Sequence, residues 1–159
     1  HLQKLGYEVT GVDPSESGIE KARESGNTAR LYVGSSYDPL AQSYGQFPVV
    51  ISLEVVEHVY YPREFAKCLF DLLEEGGTAI ISTPYHSYLK NLALALSGKM
   101  DAHFTALLDH GHIKFWSQET LFHLLREQGF EDLRLKRVGR IPVLAKSMIA
   151  AGRKPTVEA

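Results

Sequence analysis

The stretch that most constrains the fold is Val49–Tyr61, VVISLEVVEHVYY, an apolar run that ends abruptly in polar and ionisable residues. Val49, Val50, Ile51 and Leu53, bounded by Pro48 and Glu54, suit a strand buried on both faces of a parallel sheet. Such a strand needs crossover connections, which makes the chain α/β. In open sheets of that kind ligands bind beyond the carboxyl ends of the strands, where Ser52, Glu54, Glu57 and His58 fall.

Strand and helix signals alternate around this run. Leu2 and Leu5 read as a helix tail closed by Gly6, and Tyr7–Val12 as a strand that stops at Asp13-Pro14-Ser15, a helix start. Ile19 and Ala22 mark the inner face of that helix and Gly26 its end. Ala29–Val33 is a second short strand before the turn-rich Gly34–Pro39. Pro62 opens a helix with Phe65, Leu69, Leu72 and Leu73 at helical spacing, which Gly76-Gly77 is expected to stop. Thr78–Thr83 is another buried strand. Tyr85–Phe115 is too long for a crossover loop; its stripe Leu89, Leu92, Ala93 and Leu96 predicts a helix whose apolar face lines a lid or binding wall. Ser117 caps a helix with Leu121, Leu124 and Leu125 inward and Gly129-Phe130 as its exit. Leu133–Val138 and Ser147–Arg153 read as an antiparallel strand pair joined through residues 139–142. The fold expected is thus a Rossmann-like, doubly wound, mostly parallel sheet with a C-terminal antiparallel strand pair. It makes one domain over residues 1–154, with an insert at 85–115 and a tail at 155–159.

Composition narrows the function. Seventeen basic against nineteen acidic side chains, a net charge of −2, point to neither a nucleic-acid backbone nor an anionic membrane as the main partner. Arg134, Lys136, Arg137 and Arg140 form the one basic cluster and read as a solvated strand face. The single cysteine, Cys68, excludes an intrachain disulfide framework and suits a reducing compartment. With no signal peptide or spanning segment apparent, a cytoplasmic protein without integral membrane association is expected. The histidines of the insert, His103, His110 and His112, with Asp109, lack a regular ligand spacing, so no metal site is expected.

Four stretches carry a family likeness: YEVTGVDPS (Tyr7–Ser15), VVISLEVVEHV (Val49–Val59), LLEEGGTAIISTP (Leu72–Pro84) and HIKFWSQETLFHLLREQGF (His112–Phe130). In their order and spacing the chain resembles the class I S-adenosylmethionine-dependent methyltransferases, especially their ubiquinone-biosynthesis-like small-molecule branch. The resemblance implies S-adenosylmethionine as cofactor and a small-molecule acceptor methylated on O, N or C. It places Asp13 on the ribose hydroxyls, with Pro14 and Ser15 beside it. A strand-end carboxylate can accept two hydroxyl donors, which agrees. Ser35 and Ser36 fall on the adenine side, where many relatives carry an acidic residue in place of Ser35. Leu53 and Glu54 fall at the methionine end.

His58 falls at the expected mouth of the site, and an imidazole there suits a base for the proton an acceptor phenol or amine must lose. A structural histidine is the plainer reading. Tyr60, Tyr85, His86, His112 and Trp116, with Phe104, are expected to wall an acceptor pocket. The family's first strand and glycine-rich loop would precede His1, and no GxGxG-like run occurs, so an N-terminally truncated sheet is expected. A truncated chain should be unstable alone and bind no cofactor saturably, with the sheet completed upstream or by a partner chain, such as a second copy. The alternative is a catalytically silent methyltransferase-like domain used for binding or assembly.

Overall fold

The computed structural model describes residues 1–26, 28–104, 106–139 and 145–157. A 3-10 turn at Leu2–Leu5 ends at Gly6, whose φ of 88° is the left-handed cap expected. Strand β1 (Thr10–Asp13), helix α1 (Glu16–Glu24) and strand β2 (Arg30–Val33) follow as one parallel crossover unit, with Asp13 opposite Val33 at its carboxyl end. The Ser15 hydroxyl caps α1 by accepting from the Gly18 N–H at 3.1 Å, and Ile19 is its buried contact. Strand β1 starts three residues later than Tyr7. Gly11 lets the strands approach closely, because a Cβ there would lie 2.9 Å from a Leu31 methyl, which would have to shift.

The short helix α2 (Leu40–Tyr44) leads into a second sheet of order β3-β4-β6-β5, from β3 (Phe47–Leu53), β4 (Leu73–Pro84), β5 (Glu131–Val138) and β6 (Ser147–Arg153). Strands β3 and β4 are parallel; β6 runs antiparallel to both β4 and β5. The expected C-terminal pair is present, and its connection at 140–142 lies outside the described residues. Helices α3 (Pro62–Asp71) and α6 (Gln118–Gln128) cover one face. Their Phe65, Leu69, Leu121 and Leu125 pack with Ala79, Ile81, Met148 and Ala150 of the strands to make the core. Cys68 is buried on α3, and burial raises its thiol pKa to about 11.

Helix α3 ends at Asp71, before the glycine pair. Leu73 is already paired with Phe47 and fully buried, so burial of that side chain in the sheet ends the helix. Gly76 and Gly77 serve a bulge instead: Gly76 has φ 75°, and a Cβ on Gly77 would meet the Glu74 and Pro48 carbonyls at 2.9 and 3.0 Å.

The expectation that β3 is buried on both faces fails. Val49, Ile51 and Leu53 are 49%, 41% and 62% exposed. Both covering helices lie on the Val50 and Ser52 side, and among the described residues β3 pairs only with β4, while β1 and β2 form their own two-stranded sheet. The apolar run is therefore an edge strand with one face open. Leu125→Ala should cost about 2–5 kcal/mol of stability by leaving a core cavity. Ile51→Ala, on the open face, should cost about 1 kcal/mol or less. Urea midpoints of the two variants measure the difference, and equal losses would mean that the open face is packed.

Candidate active site

The carboxyl ends of the two parallel units are tied together. The backbone N–H of Tyr61, in the loop after β3, donates to the Tyr37 hydroxyl in the loop after β2 at 3.2 Å. Their rings pack edge to face at 5.9 Å. Neither tyrosine was marked by periodicity, and only an aromatic in each of two post-strand loops hinted at the contact.

The expected cofactor residues lie along these ends. Asp13 is exposed; one carboxylate oxygen accepts the Ser15 N–H at 2.8 Å, and among the described residues the other accepts no hydrogen bond. The helix-start role and an acceptor role are thus compatible within one side chain. Its carbonyl accepts the Gly34 N–H at 3.1 Å, which brings the loop of Ser35 and Ser36 beside it. The acidic group that shapes this loop is Asp38, whose carboxylate takes the Ser35 N–H at 2.7 Å. Pro14 and Ser15 are exposed, and Ser35 and Ser36 are half-buried.

Glu54 turns the chain out of β3 with φ 53°, a left-handed conformation that is uncommon for a side chain with a Cβ. Ser82 at the end of β4 supports it. The Glu54 N–H lies 3.1 Å from both the Ser82 carbonyl and its hydroxyl, and that hydroxyl donates to Glu54 Oε1 at 2.7 Å. Ser82 was not singled out from the sequence, although it stands in the quoted STP. Leu53 beside it is exposed.

Beyond Glu54 the segment 55–58 is stitched to the returning arm of the insert. The Glu57 carbonyl accepts the N–H groups of Ile113 and Lys114 at 2.9 and 3.0 Å, and Trp116 Nε1 donates to the Val56 carbonyl at 3.0 Å. His58 Nδ1 lies 3.2 Å from the Gly111 carbonyl. A donor is required at that nitrogen, which leaves Nε2 as the basic atom. The His58 and His112 rings meet edge to face at 4.9 Å.

Between them sits Glu57, 1% exposed, with neither carboxylate oxygen hydrogen-bonded among the described residues. Burial raises its pKa, opposed by its own backbone and the nearby Thr83 hydroxyl, which makes no hydrogen bond of normal geometry to it. His112 Nε2 stands 3.9 Å from Oε1, and burial, then the His58 charge, holds its pKa below the usual histidine range. Ligand atoms of Glu57, His58 and His112 lie within 4.8 Å of one another, a donor set that could hold a divalent cation. Of the histidines and aspartate of the insert, only His112 belongs to it.

Two cavities adjoin this cluster. One, of about 450 Å³, is lined by His58, Tyr60, Phe104, Leu108 and His112. The other, of about 420 Å³, shares Phe104 and His112 and adds His86, Asn91 and Phe115. His86 packs against Phe115 at 5.0 Å, and its burial lowers its pKa. Tyr85 and Trp116, expected in the same wall, belong to the buried core; Tyr85 carries the Arg137 guanidinium 4.9 Å over its ring.

The insert helices are α4 (Tyr88–Leu96) and α5 (Met100–Phe104). Helix α4 lies the other way up from the expected lid: Leu89, Leu92, Ala93 and Leu96 face out, while Lys90, Asn91 and Leu94 are half-buried. Polar bonds turn it. Lys90 Nζ donates to the Tyr85 carbonyl at 2.8 Å, and Asn91 Oδ1 meets His86 Nδ1 at 3.4 Å.

Glu57 gives a pH-dependent prediction. Its folded pKa is raised, so the folded protein loses stability as pH rises past the ordinary carboxylate value and the group must ionise while buried. Glu57→Gln should therefore melt higher than the wild type near neutrality, by about 2–4 °C for each kcal/mol recovered in a domain of this size. The gap should close toward pH 4. Melting curves across that range check it, and a lower midpoint for the variant at neutral pH would show that the carboxylate is satisfied.

Residues 1–135 match the model of a family described as Methyltransferase domain. A ubiquinone biosynthesis O-methyltransferase of Ruegeria pomeroyi is 34% identical over 139 residues, covering 85% of this chain and 56% of that protein. One of Ruegeria sp. is 31% identical over 153 residues, covering 94% and 62%. The chain thus spans about half the length of the curated relatives it matches. Among solved structures, the CMeT domain of the citrinin polyketide synthase superimposes with a TM-score of 0.73 at 14% identity, covering 98% of this chain and 41% of that one. A SAM-dependent methyltransferase of Thermotoga maritima, described as a possible histamine N-methyltransferase, gives 0.68 at 19%, covering 95% and 74%. With strands, post-strand loops and family model in agreement over most of its length, the chain belongs to the methyltransferase domain family.

Proposed function

We propose that this chain acts in S-adenosylmethionine-dependent methyl transfer to the hydroxyl of a small-molecule acceptor. The observation that carries this reading is the Tyr61–Tyr37 hydrogen bond, which joins the carboxyl ends of β2 and β3, with the His58–His112 cavity just beyond Glu54. The relatives named O-methyltransferases support oxygen as the acceptor atom.

The residues fit the cofactor. Asp13 offers an exposed carboxylate oxygen to ribose hydroxyls, with Pro14 and Ser15 shaping the turn beneath it. Ser35 and Ser36 stand where the adenine would lie, and Leu53 and Glu54 face the methionine end. When bound, S-adenosylmethionine supplies an electrophilic methyl group on a sulfonium sulfur. The chain's own contribution is to align the acceptor oxygen in the cavity between His58, Tyr60 and His112 and to take its proton. Because Nδ1 of His58 faces the Gly111 carbonyl, the proton goes to Nε2. As the acceptor oxygen takes up the methyl group it would release its proton to His58, so the positive charge would end on the imidazole.

In the full-length protein, Asp13→Ala should weaken S-adenosylhomocysteine binding by about 1.5–3 kcal/mol per lost charge-assisted hydrogen bond, measured by titration calorimetry. His58→Gln should leave that affinity unchanged and lower kcat by a factor of about 10²–10⁴. Binding that is intact with no turnover on any hydroxyl acceptor would favour a silent binding domain. An unchanged affinity in Asp13→Ala would leave that residue as a helix cap only.

A further inference from the structure

The second cavity draws its wall from separate pieces of chain: His86 just past β4, Asn91 on the inward side of α4, Phe104 at the end of α5, and His112 and Phe115 on the returning arm of the insert. Phe104 and Phe115 meet edge to face at 4.8 Å, and Phe115 meets the His86 ring in the same way at 5.0 Å. Three rings so arranged make an apolar corner against which a flat group can pack. Among the described residues no carboxylate, lysine or arginine lines this cavity.

Two polar groups interrupt the apolar wall. His86 is 7% exposed and is held from the backbone, where its N–H donates to the Trp116 carbonyl at 3.1 Å. Its Nδ1 lies 3.4 Å from Asn91 Oδ1, an oxygen that can only accept, so the ring proton sits on Nδ1 and Nε2 presents a lone pair. Burial disfavours the charged form of the ring, which keeps that lone pair free. Among the described residues neither His86 Nε2 nor the Asn91 amide NH2 makes a hydrogen bond. The cavity therefore offers one acceptor and one donor, carried by two residues that are bonded to each other.

We propose that the second cavity selects the acceptor by holding an uncharged hydroxyl or carboxamide on an apolar body, with His86 and Asn91 as the specificity-determining residues. The hydrogen of such a group is donated to His86 Nε2, and its oxygen accepts from the Asn91 amide. A carboxylate lacks that hydrogen, opposes its charge to the Nε2 lone pair and would have to give up its hydration in an apolar corner. An ether keeps the oxygen but leaves Nε2 unpaired. The assignment of the occupant as acceptor rests on the methyl-transfer reading above; the two cavities adjoin at Phe104 and His112, beside the wall that His58 contributes to the first.

The test is binding of p-cresol, p-methylanisole and p-toluate to the full-length protein without cofactor, titrated by ligand-observed NMR at about pH 8, where the phenol is neutral and the toluate ionised. The wild type should bind p-cresol about tenfold more tightly than p-methylanisole, and p-toluate more weakly than either. His86→Phe, which keeps a ring but no lone pair, should bring p-cresol and p-methylanisole to equal affinity. Asn91→Leu, which releases the proton of His86 from Nδ1, should cut the preference to about threefold or less, and decides the matter where the histidine variant does not fold. Equal binding of the two neutral probes by the wild type, a preference that survives in these variants, or tightest binding of p-toluate would overturn the proposal. So would loss of the preference in His58→Gln, which would seat the probe in the first cavity. None of these measurements needs turnover. A protein that shows the preference and methylates no hydroxyl acceptor would keep the binding site and lose only the methyl-transfer reading.

Discussion

The site depends on the pair of hydrogen bonds that the Glu57 carbonyl accepts from Ile113 and Lys114, reinforced by the Trp116 indole on the Val56 carbonyl. These bonds join residues nearly sixty positions apart. They bring the returning arm of a long insert onto the segment that leaves β3, and from that junction both cavities and the His58–His112 contact follow. The junction also seals one end of the core, because Trp116 and Val56 are both buried there. Packing and chemistry share these few backbone bonds, which explains why Trp116 is structural although it directly follows Phe115, which lines the second cavity.

Glu57 shows what such sharing costs. A carboxylate with no hydrogen bond, almost wholly removed from water, is unfavourable unless it is neutralised or given a charge partner. The two imidazoles nearby are the only candidates the described residues supply, and burial of His112 disfavours its charged form. Buried ionisable groups with shifted pKa values concentrate at functional sites, where stability is given up for reactivity or ligand binding. Glu54 tells the same story in the backbone: a left-handed glutamate is retained because Ser82 supports it from two directions.

Much of the fold was legible because its signals are local. Ser15 and Ser117 cap the helices expected of them, Gly6 and Gly129 close theirs in the left-handed region, and the C-terminal strand pair stands where alternation put it. Errors arose where tertiary context decides. The apolar run of β3 matched a doubly buried strand, but periodicity cannot say whether a neighbour covers the second face. The leucines of α4 form a sound amphipathic stripe, but a stripe does not reveal which way it turns; a lysine and an asparagine bonded to Tyr85 and His86 settled that. The convergence of Glu57 with His112 crosses more than fifty residues, and no spacing rule reaches so far.

The open edge of β3 bears on how the molecule behaves in company. Its sequence, VVISL, is uncharged and rich in β-branched residues, three of its five side chains are exposed, and among the described residues its outer edge pairs with no other strand. Natural edge strands are usually blunted by a lysine, a proline or a bulge, and here Pro48 and the bulge beside it lie at the beginning of the strand, which leaves Val49–Leu53 without either. Such an edge accepts any extended apolar segment that reaches it, from its own polypeptide or from another. Solubility of the protein therefore hangs on how completely that edge is occupied, and a gatekeeping charge at Val49 or Ile51 is the substitution that would make the isolated chain tractable.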